Sequence, residues 1–234
     1  MNIGIPKERR PFEYRVGLSP AGVEILTQMG HTVFVEHEAG AGASFSDYEF
    51  EKAGAKLAYS AEEVFGRADL LLKIARPLQE EIEWMNPGTT MMGLLHLAAA
   101  RQGRVDALLA NKITAIAYEQ IETEKRVLPV LCPFSQIGGK MTAQIAARWM
   151  QSDLAGKGIL MGGLPGVPPA EVVIIGGGVV GQNALAAFRV RVRMSQFWIR
   201  NLRFSSGFMT VIRRPLPWLR RNAISARSAH LPTC

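Results

Sequence analysis

Three glycines between residues 176 and 181 have the spacing of a phosphate-binding turn. Gly176, Gly178 and Gly181 form G-x-G-x-x-G between the apolar segment EVVII and the helical segment VVGQNALAA. The first glycine of such a turn allows the tight bend, the second lets a pyrophosphate approach the main chain, and the third brings helix and strand together. The helix N-terminus attracts the phosphates. The motif predicts a dinucleotide-binding turn that includes Val179 and Val180, and the alternative is an ordinary strand-to-helix turn.

The chain before this turn alternates between short strands and helices. Five apolar segments are typical of buried strands: NIGIP, HTVFVE, DLLLKIA, TTMMGLL and ITAIAYE. Helix starts are marked by Ser19 followed by Pro20, and by the capping-box sequences SDYE from Ser46 and SAEE from Ser60. Gly30 predicts the end of the first helix. The pattern predicts an α/β fold in which a doubly wound, Rossmann-like N-terminal domain has a parallel sheet with helices on both faces.

A helix and a loop are predicted between this domain and the glycine turn. The segment KMTAQIAARWMQSDL has apolar residues at helical spacing, and it predicts a helix that links two domains. The segment GKGILMGGLPGVPPA is too rich in glycine and proline for a regular element and predicts a connecting loop. A second α/β unit, the truncated start of a Rossmann nucleotide-binding domain, is predicted from Glu171.

The positive charge of the chain is concentrated at its end. Residues 189–234 contain ten Arg and no Asp or Glu, whereas residues 1–188 carry a net charge of −3. A basic segment with aromatic residues is one pattern of nucleic-acid binding. GC-rich codons translated out of phase produce the same composition, so we expect no nucleic-acid partner.

The codons of the tail indicate a shifted reading frame. When the third base of each codon is joined to the first two of the next, Phe197 with Trp198 must encode Leu, and Trp198 with Ile199 must encode Asp. The shifted frame can spell G-x-G-A-x-V-T-I-L-D, the turn, strand and acidic end expected about 20 residues after the glycines. The sequence therefore predicts a frameshift near Phe188 that replaced the rest of the nucleotide-binding domain.

Six stretches of residues 1 to about 187 carry a family resemblance: IGIPKE, RVGLSPAGVEILTQMGHTVFVEHEAGAGASFSD, LLLKIARPL, LLHLAA, TAIAYE and GGLPGVPPAEVVIIGGGVVGQNA. They resemble the alanine dehydrogenase/pyridine nucleotide transhydrogenase family, and His96 makes the dehydrogenases the closer branch. The resemblance implies NAD-dependent, reversible oxidative deamination of L-alanine to pyruvate and ammonia in a homohexamer. The alternatives are a protein like the transhydrogenase α subunit and an inactive, non-enzymatic fragment.

The resemblance also implies roles for individual residues. Arg15 would hold the substrate carboxylate through two parallel hydrogen bonds. Lys73, at the end of an apolar strand, would bind substrate and act in catalysis, since a lone cation there needs an anionic or carbonyl partner. His96 would exchange protons with a bound imine or carbinolamine. The alternatives are a solvated loop arginine, a lysine extending to water and a structural histidine. Ser135 would bind NAD from a loop, together with the residues of the glycine turn.

Three segments are predicted from these features. Residues 1–134 form the substrate domain, 135–188 form the linking helix and an incomplete NAD-binding domain, and 189–234 form a disordered Arg-rich tail. No apolar run is long enough for a membrane span, and the N-terminus lacks the apolar stretch of a signal peptide. We therefore expect a cytoplasmic protein without a membrane partner. The cysteines show no metal-ligand spacing, and no metal site is predicted.

Overall fold

The computed structural model describes residues 1–191, 196–200 and 209–213. The chain divides into two compact units, Met1–Ile121 and Glu122–Cys234. The division comes before residue 134, where we predicted the first domain to end.

The first unit is built on a six-stranded, wholly parallel sheet with the strand order β3-β2-β1-β4-β5-β6. This order, with helices on both faces, confirms the predicted doubly wound α/β fold. Five strands coincide with predicted segments, whereas the short edge strand β3 was not predicted. The strands are β1 (Asn2–Ile5), β2 (Thr32–Glu36), β3 (Lys56–Ala58), β4 (Leu70–Ala75), β5 (Thr90–Leu94) and β6 (Thr114–Ala117).

Two hydrophobic cores lie on opposite faces of the sheet. One core contains Leu72 of β4 and residues of the first two helices, and the other contains the neighbouring Leu71 and residues of the next three. Alternate residues of a strand point to opposite faces, so β4 contributes to both cores. The helices are α1 (Pro20–Gln28), α2 (Asp47–Lys52), α3 (Ala61–Arg67), α4 (Gln79–Glu83) and α5 (Gln102–Ala110).

The predicted helix starts are present, with one difference. Ser19 caps α1 as predicted. Ser46 and Glu49 form the complete reciprocal capping box at the start of α2. At α3, the Ser60 hydroxyl accepts from the Glu63 N–H at 3.2 Å, but the Glu63 carboxylate accepts from the N–H of Tyr59 at 3.3 Å. The Glu63 side chain therefore bonds to the N–H of the residue before the N-cap, and not to the N–H of the N-cap Ser60 itself.

The second unit contains two long helices that pack closely, α6 (Leu131–Trp149) and α7 (Val179–Arg191). Helix α6 begins well before the predicted segment. Pro133 lies in its first turn, where the missing N–H has no helical partner to lose. Ser135 therefore lies on a helix, and its predicted loop position is wrong.

The predicted strand EVVII, residues 171–175, is not a strand in the structure. Its alternation of burial is partly retained, since Ile174 is buried whereas Val173 and Ile175 are exposed. A strand requires hydrogen bonds to a neighbouring strand, and no strand among the described residues pairs with this segment.

Two described segments of the Arg-rich tail, β7 (Gln196–Arg200) and β8 (Met209–Arg213), form an antiparallel pair. The remaining tail residues after Arg191 lie outside the described residues. The disorder predicted for the tail as a whole stays a prediction.

Candidate active site

The carboxyl ends of β1 and β4 lie side by side in the middle of the sheet. The chain proceeds from β1 to β2 in one direction and from β4 to β5 in the other, so the strand order reverses at this point. Open α/β sheets bind ligands in the crevice at such a switch point. Glu8 follows β1, and Lys73 lies in β4. The topology brings these two side chains to the place where a ligand is expected.

The ammonium group of Lys73 is buried between two carboxylates. Lys73 Nζ lies 2.9 Å from Glu81 Oε1 and 3.2 Å from Glu8 Oε2, and all three side chains are at most 2% exposed. The centroid of the Phe65 ring is 5.8 Å from Nζ. Opposite charges with good hydrogen bonds offset the cost of removing an ion from water. Lys73 is therefore the cation of a buried ion-pair cluster, and it does not extend to solvent.

Both carboxylates of this cluster also accept main-chain hydrogen bonds. Glu8 Oε1 accepts from the N–H groups of residues 74 and 75, at 2.6 and 3.2 Å, which ties the loop after β1 to β4. Glu81 Oε2 accepts from the N–H of Leu78 at 2.7 Å. These bonds fix Lys73 in place. Two carboxylates face the three N–H donors of Nζ, so a substrate atom that binds Nζ must either accept from the remaining donor or displace a carboxylate.

Arg15 lies in the loop between β1 and α1 and is paired with Glu13. Its Nε and Nη2 donate to the two carboxylate oxygens of Glu13 at 2.8 and 2.6 Å, in a two-pronged contact. The hydrogen bond from Arg15 lowers the pKa of Glu13 below its ordinary value of 4.5, and the charge of Lys73 contributes in the same direction. The same hydrogen bond raises the pKa of Arg15. A substrate carboxylate that makes this two-pronged contact would replace Glu13.

The Glu13–Arg15 pair leads to a prediction about stability at low pH. Because folding lowers the pKa of Glu13, its ionised form stabilises the folded state above about pH 4.5, and this contribution is lost as the pH falls through the lower, folded-state pKa. We expect Glu13→Gln to remove this part of the pH dependence. The free energies of unfolding of the variant and the parent should therefore converge in acid.

Urea unfolding over a series of pH values from neutral to acid measures this effect. Glu51→Gln, which changes an exposed carboxylate of α2, is the matched control and should keep the parent's pH dependence. The prediction fails if Glu13→Gln and the parent show the same slope below pH 5.

His96 follows β5 in a left-handed backbone conformation, with φ 47° and ψ 46°. Its side chain is 54% exposed. In the sheet register Leu94 of β5 pairs with Ala75 of β4, so His96 and Lys73 lie near the carboxyl ends of adjacent strands. The main-chain N–H of His96 donates to Glu119 Oε1 at 2.6 Å, and its Nδ1 is 3.8 Å from the same oxygen.

Two of the three predicted substrate-site residues are linked by described interactions. The charges of Arg15 and Lys73 act on the neighbouring carboxylates, Arg15 with Glu8 and Lys73 with Glu13. The loop between β1 and α1, which carries Arg15, packs closely on β4. A Cβ at Gly17 in this loop would lie only 2.1 Å from the carbonyl oxygen of residue 72. His96 contacts Glu119. Its position relative to Arg15 and Lys73 follows from the strand register, which places it near the carboxyl end of the strand next to β4.

Four carboxylates among the described residues contact Arg15, Lys73 and His96, and none of them was predicted as a site residue from the sequence. Glu8 and Glu119 come within three residues of a strand end, and Glu81 lies in the helix after β4. Acidic residues just beyond apolar strands were the signal that could have found the first two.

The six residues predicted to bind the cofactor surround one cavity of about 690 Å³ in the second unit. Gly176 has φ +107°, which only glycine adopts readily. A Cβ at Gly178 would meet no atom within 4 Å, so the main chain there is open to a ligand. The N-terminus of α7 follows directly, as a phosphate requires. The lining includes Ser135, Gly176, Gly178, Val179, Val180 and Gly181.

Gly181→Ala is expected to destabilise the second unit, whereas Gly178→Ala is not. A Cβ at position 181 would lie 2.0 Å from the carbonyl oxygen of Gly176, which cannot move unless the turn opens. We expect a loss of about 1–3 kcal/mol, typical of overpacking. Thermal unfolding of the two variants measures the difference. Equal melting temperatures would contradict the close approach of helix and turn.

No helix among the described residues combines the length and apolar character needed to cross a membrane. No group of three or more His, Cys, Asp or Glu in that part of the chain could hold a metal ion.

Two family models match the chain. The model described as "Alanine dehydrogenase/PNT, N-terminal domain" matches residues 4–138, and "Alanine dehydrogenase/PNT, C-terminal domain" matches residues 142–195. Alanine dehydrogenases from Mycolicibacterium smegmatis and Methanococcus maripaludis are each 46% identical over 184 residues, which is 79% of this chain and 49% of theirs. The chain thus spans about half the length of the curated relatives it matches.

Solved structures of an L-alanine dehydrogenase and of a transhydrogenase are similar to the chain. An L-alanine dehydrogenase superposes with a TM-score of 0.76 at 42% identity, covering 84% of this chain and 54% of that one. A transhydrogenase from Sinorhizobium meliloti superposes with a TM-score of 0.71 at 27% identity, covering 87% of this chain and 57% of that one.

Proposed function

Because this chain belongs to the alanine dehydrogenase/PNT family, we propose that the complete protein uses NAD to deaminate L-alanine oxidatively to pyruvate and ammonia. The observation that carries the proposal is the charge arrangement at the switch point of the sheet. Arg15 follows β1, Lys73 lies in the neighbouring β4, and the half-exposed imidazole of His96 follows the adjacent β5. An α-amino acid offers the carboxylate and the exchangeable protons that these groups bind and transfer.

Each of these residues has a distinct role in the proposal. Arg15 exchanges Glu13 for the substrate carboxylate and keeps the two-pronged contact. Lys73 provides a fixed positive charge at the crevice. His96 takes a proton from the water that adds to the imine and returns one to the departing amine. NAD, when bound, supplies the hydride acceptor.

The cavity at the glycine turn fits the proposed cofactor. The open main chain at Gly178 leaves room for a pyrophosphate, and the α7 N-terminus offers unpaired N–H groups to it. Ser135 on α6 lines the same cavity. We assign these residues to NAD binding together with Gly176, Val179, Val180 and Gly181.

The proposal is tested with a completed chain, in which residues 1–187 are joined to the C-terminal half of the Mycolicibacterium smegmatis alanine dehydrogenase. We expect formation of NADH from NAD in the presence of L-alanine, and its consumption with pyruvate and ammonia. A completed chain that folds and binds NADH but does not oxidise alanine would refute the proposal. The 234-residue chain is expected to bind NADH far more weakly than the completed chain.

Transhydrogenation is the second candidate, because the transhydrogenase structure is similar to this chain. The higher identity to the L-alanine dehydrogenase, 42% against 27%, favours deamination. An assay that replaces alanine with a second nicotinamide nucleotide separates the two. An inactive fragment is the outcome if neither reaction occurs in the natural chain or the completed chain.

The domain limits and the tail remain part of the proposal. We infer a substrate domain over 1–134, an incomplete NAD-binding domain over 135–188, and an out-of-frame tail over 189–234. The end of the N-terminal family match at residue 138 supports the first limit, and the length of the match to the curated relatives, 184 of 234 residues, supports a tail that differs from them. Sequencing the DNA across codons 186 to 200 tests it. Cell fractionation and light scattering of the complete protein test the proposed cytoplasmic location and the homohexamer.

A further inference from the structure

The backbone of His96 is held in a conformation that histidine rarely adopts. Its φ of 47° lies in the left-handed region, where a side chain with a Cβ is strained. Such a conformation persists only when the surrounding structure imposes it. Since His96 is also 54% exposed, packing of its own side chain is a weak constraint. The constraint must come from groups that bind its main chain.

The carbonyl of His96 accepts from the N–H of Ala99 at 3.0 Å, and Glu119 makes the described bonds on the N–H side of this turn. It lies in a 3-10 helix, Tyr118–Gln120, directly after β6, and the register of β5 with β6 brings it beside the end of β5. Its Oε1 accepts from the N–H of His96 at 2.6 Å, and its Oε2 accepts from the N–H of Leu95 at 3.2 Å. The Glu119 side chain is only 13% exposed. One carboxylate thus fixes two consecutive peptide groups at the point where the chain turns.

The same carboxylate lies next to the imidazole ring. Glu119 Oε1 is 3.8 Å from His96 Nδ1, too far for a hydrogen bond in this geometry but close enough for an electrostatic interaction. The carboxylate therefore occupies the Nδ1 side of the ring.

We propose that Glu119 is a positioning residue for His96, holding its backbone in the left-handed conformation and its imidazole at the carboxyl edge of the sheet. The functional part of this inference rests on the proposed function, in which His96 transfers protons. The competing explanation is that Glu119 only caps the 3-10 helix Leu97–Ala99. Such a cap would not require residue 96 to adopt a left-handed conformation.

The structural arm of the test uses the 234-residue chain with Glu119→Ala, Glu119→Gln and the control Glu83→Gln, an exposed carboxylate of α4. Nuclear magnetic resonance measures amide hydrogen exchange at residues 95 and 96 and the Cα and Cβ shifts of His96. We expect Glu119→Ala to speed exchange at both amides by about 10- to 100-fold and to move the His96 shifts out of the left-handed range.

Glu119→Gln keeps one carbonyl acceptor, so it should protect only one of the two amides and retain the left-handed shifts in part. If the alanine variant does not fold, this graded result with glutamine decides the question. Glu83→Gln should change neither measurement. Unchanged His96 shifts in both Glu119 variants, with only the exchange rates raised, would identify Glu119 as a cap and overturn the inference.

The functional arm uses the completed chain. We expect Glu119→Ala to lower kcat for alanine about 100-fold, as for a misplaced catalytic group, with an unchanged Kd for NADH and partial rescue by glutamine. An unchanged kcat in a completed chain that needs His96 would overturn the inference. A completed chain without any alanine oxidation would instead refute the proposed function, and the structural arm would still decide the role of Glu119.

Discussion

Replacing Lys73 with methionine is expected to lower the free energy of unfolding by about 3–5 kcal/mol, the range for breaking a buried ion pair by removing one partner. Methionine fills a similar volume, so the loss reports the charge and not a cavity. Without the ammonium group, the carboxylates of Glu8 and Glu81 stay buried at 2% exposure or less and repel each other. Urea unfolding followed by circular dichroism measures the change.

A matched control and a second substitution sharpen this prediction. Lys52→Met, on an exposed position of α2, should change the free energy of unfolding by no more than about 0.5 kcal/mol. Glu81 keeps a second cationic neighbour, since Arg9 Nη1 lies 3.9 Å from Glu81 Oε1. Adding Glu81→Gln to Lys73→Met removes one of the two carboxylate charges that lose Lys73 and should recover part of the loss. A Lys73→Met protein as stable as the parent would show that the buried cluster does not support the fold.

Changing His96 to alanine in the completed chain is expected to reduce kcat for alanine oxidation by about 10²- to 10⁴-fold, the usual contribution of a general acid–base group. Binding of NADH should not change, because the residues proposed to bind the cofactor lie around the glycine turn in the second unit. Loss of kcat without loss of cofactor affinity is the signature of a group that acts in the transition state.

Steady-state kinetics and a fluorescence titration with NADH measure these two effects. His31→Ala is the control, since His31 lies between α1 and β2, away from the carboxyl ends of the strands. Near-normal alanine oxidation by the His96→Ala protein would eliminate this residue as the proton-transfer group. The carboxylates around Lys73 would then be the next groups to examine.

Lys73 and His96 illustrate two different uses of a polar group at a strand end. The three-dimensional surroundings of Lys73 make it essential to folding, since its charge balances two carboxylates away from water. His96 is half exposed and makes few contacts that stability would need. We therefore expect Lys73 variants chiefly to lose stability and His96 variants chiefly to lose catalytic rate.

The sequence by itself determined the features that depend on near neighbours along the chain. Ser19 and the Ser46–Glu49 box predicted helix starts correctly because each cap bonds to N–H groups two or three residues away. The alternation of apolar segments and helices predicted the doubly wound parallel sheet, because parallel strands require helical crossovers. The glycine spacing predicted the turn at 176–181 for the same local reason.

Only the tertiary structure decided which charged groups meet. Glu8 reaches Lys73 across 65 residues through β1 and β4, which are neighbours in the sheet but not in the chain, and Glu119 reaches His96 across 23 residues through the paired strands β5 and β6. A pattern along the sequence does not specify such pairs. The segment 171–175 shows that a pattern along the sequence does not by itself specify a strand either. Its alternating apolar residues are typical of a strand, yet a strand forms only when another strand accepts and donates its hydrogen bonds, and no described strand does so.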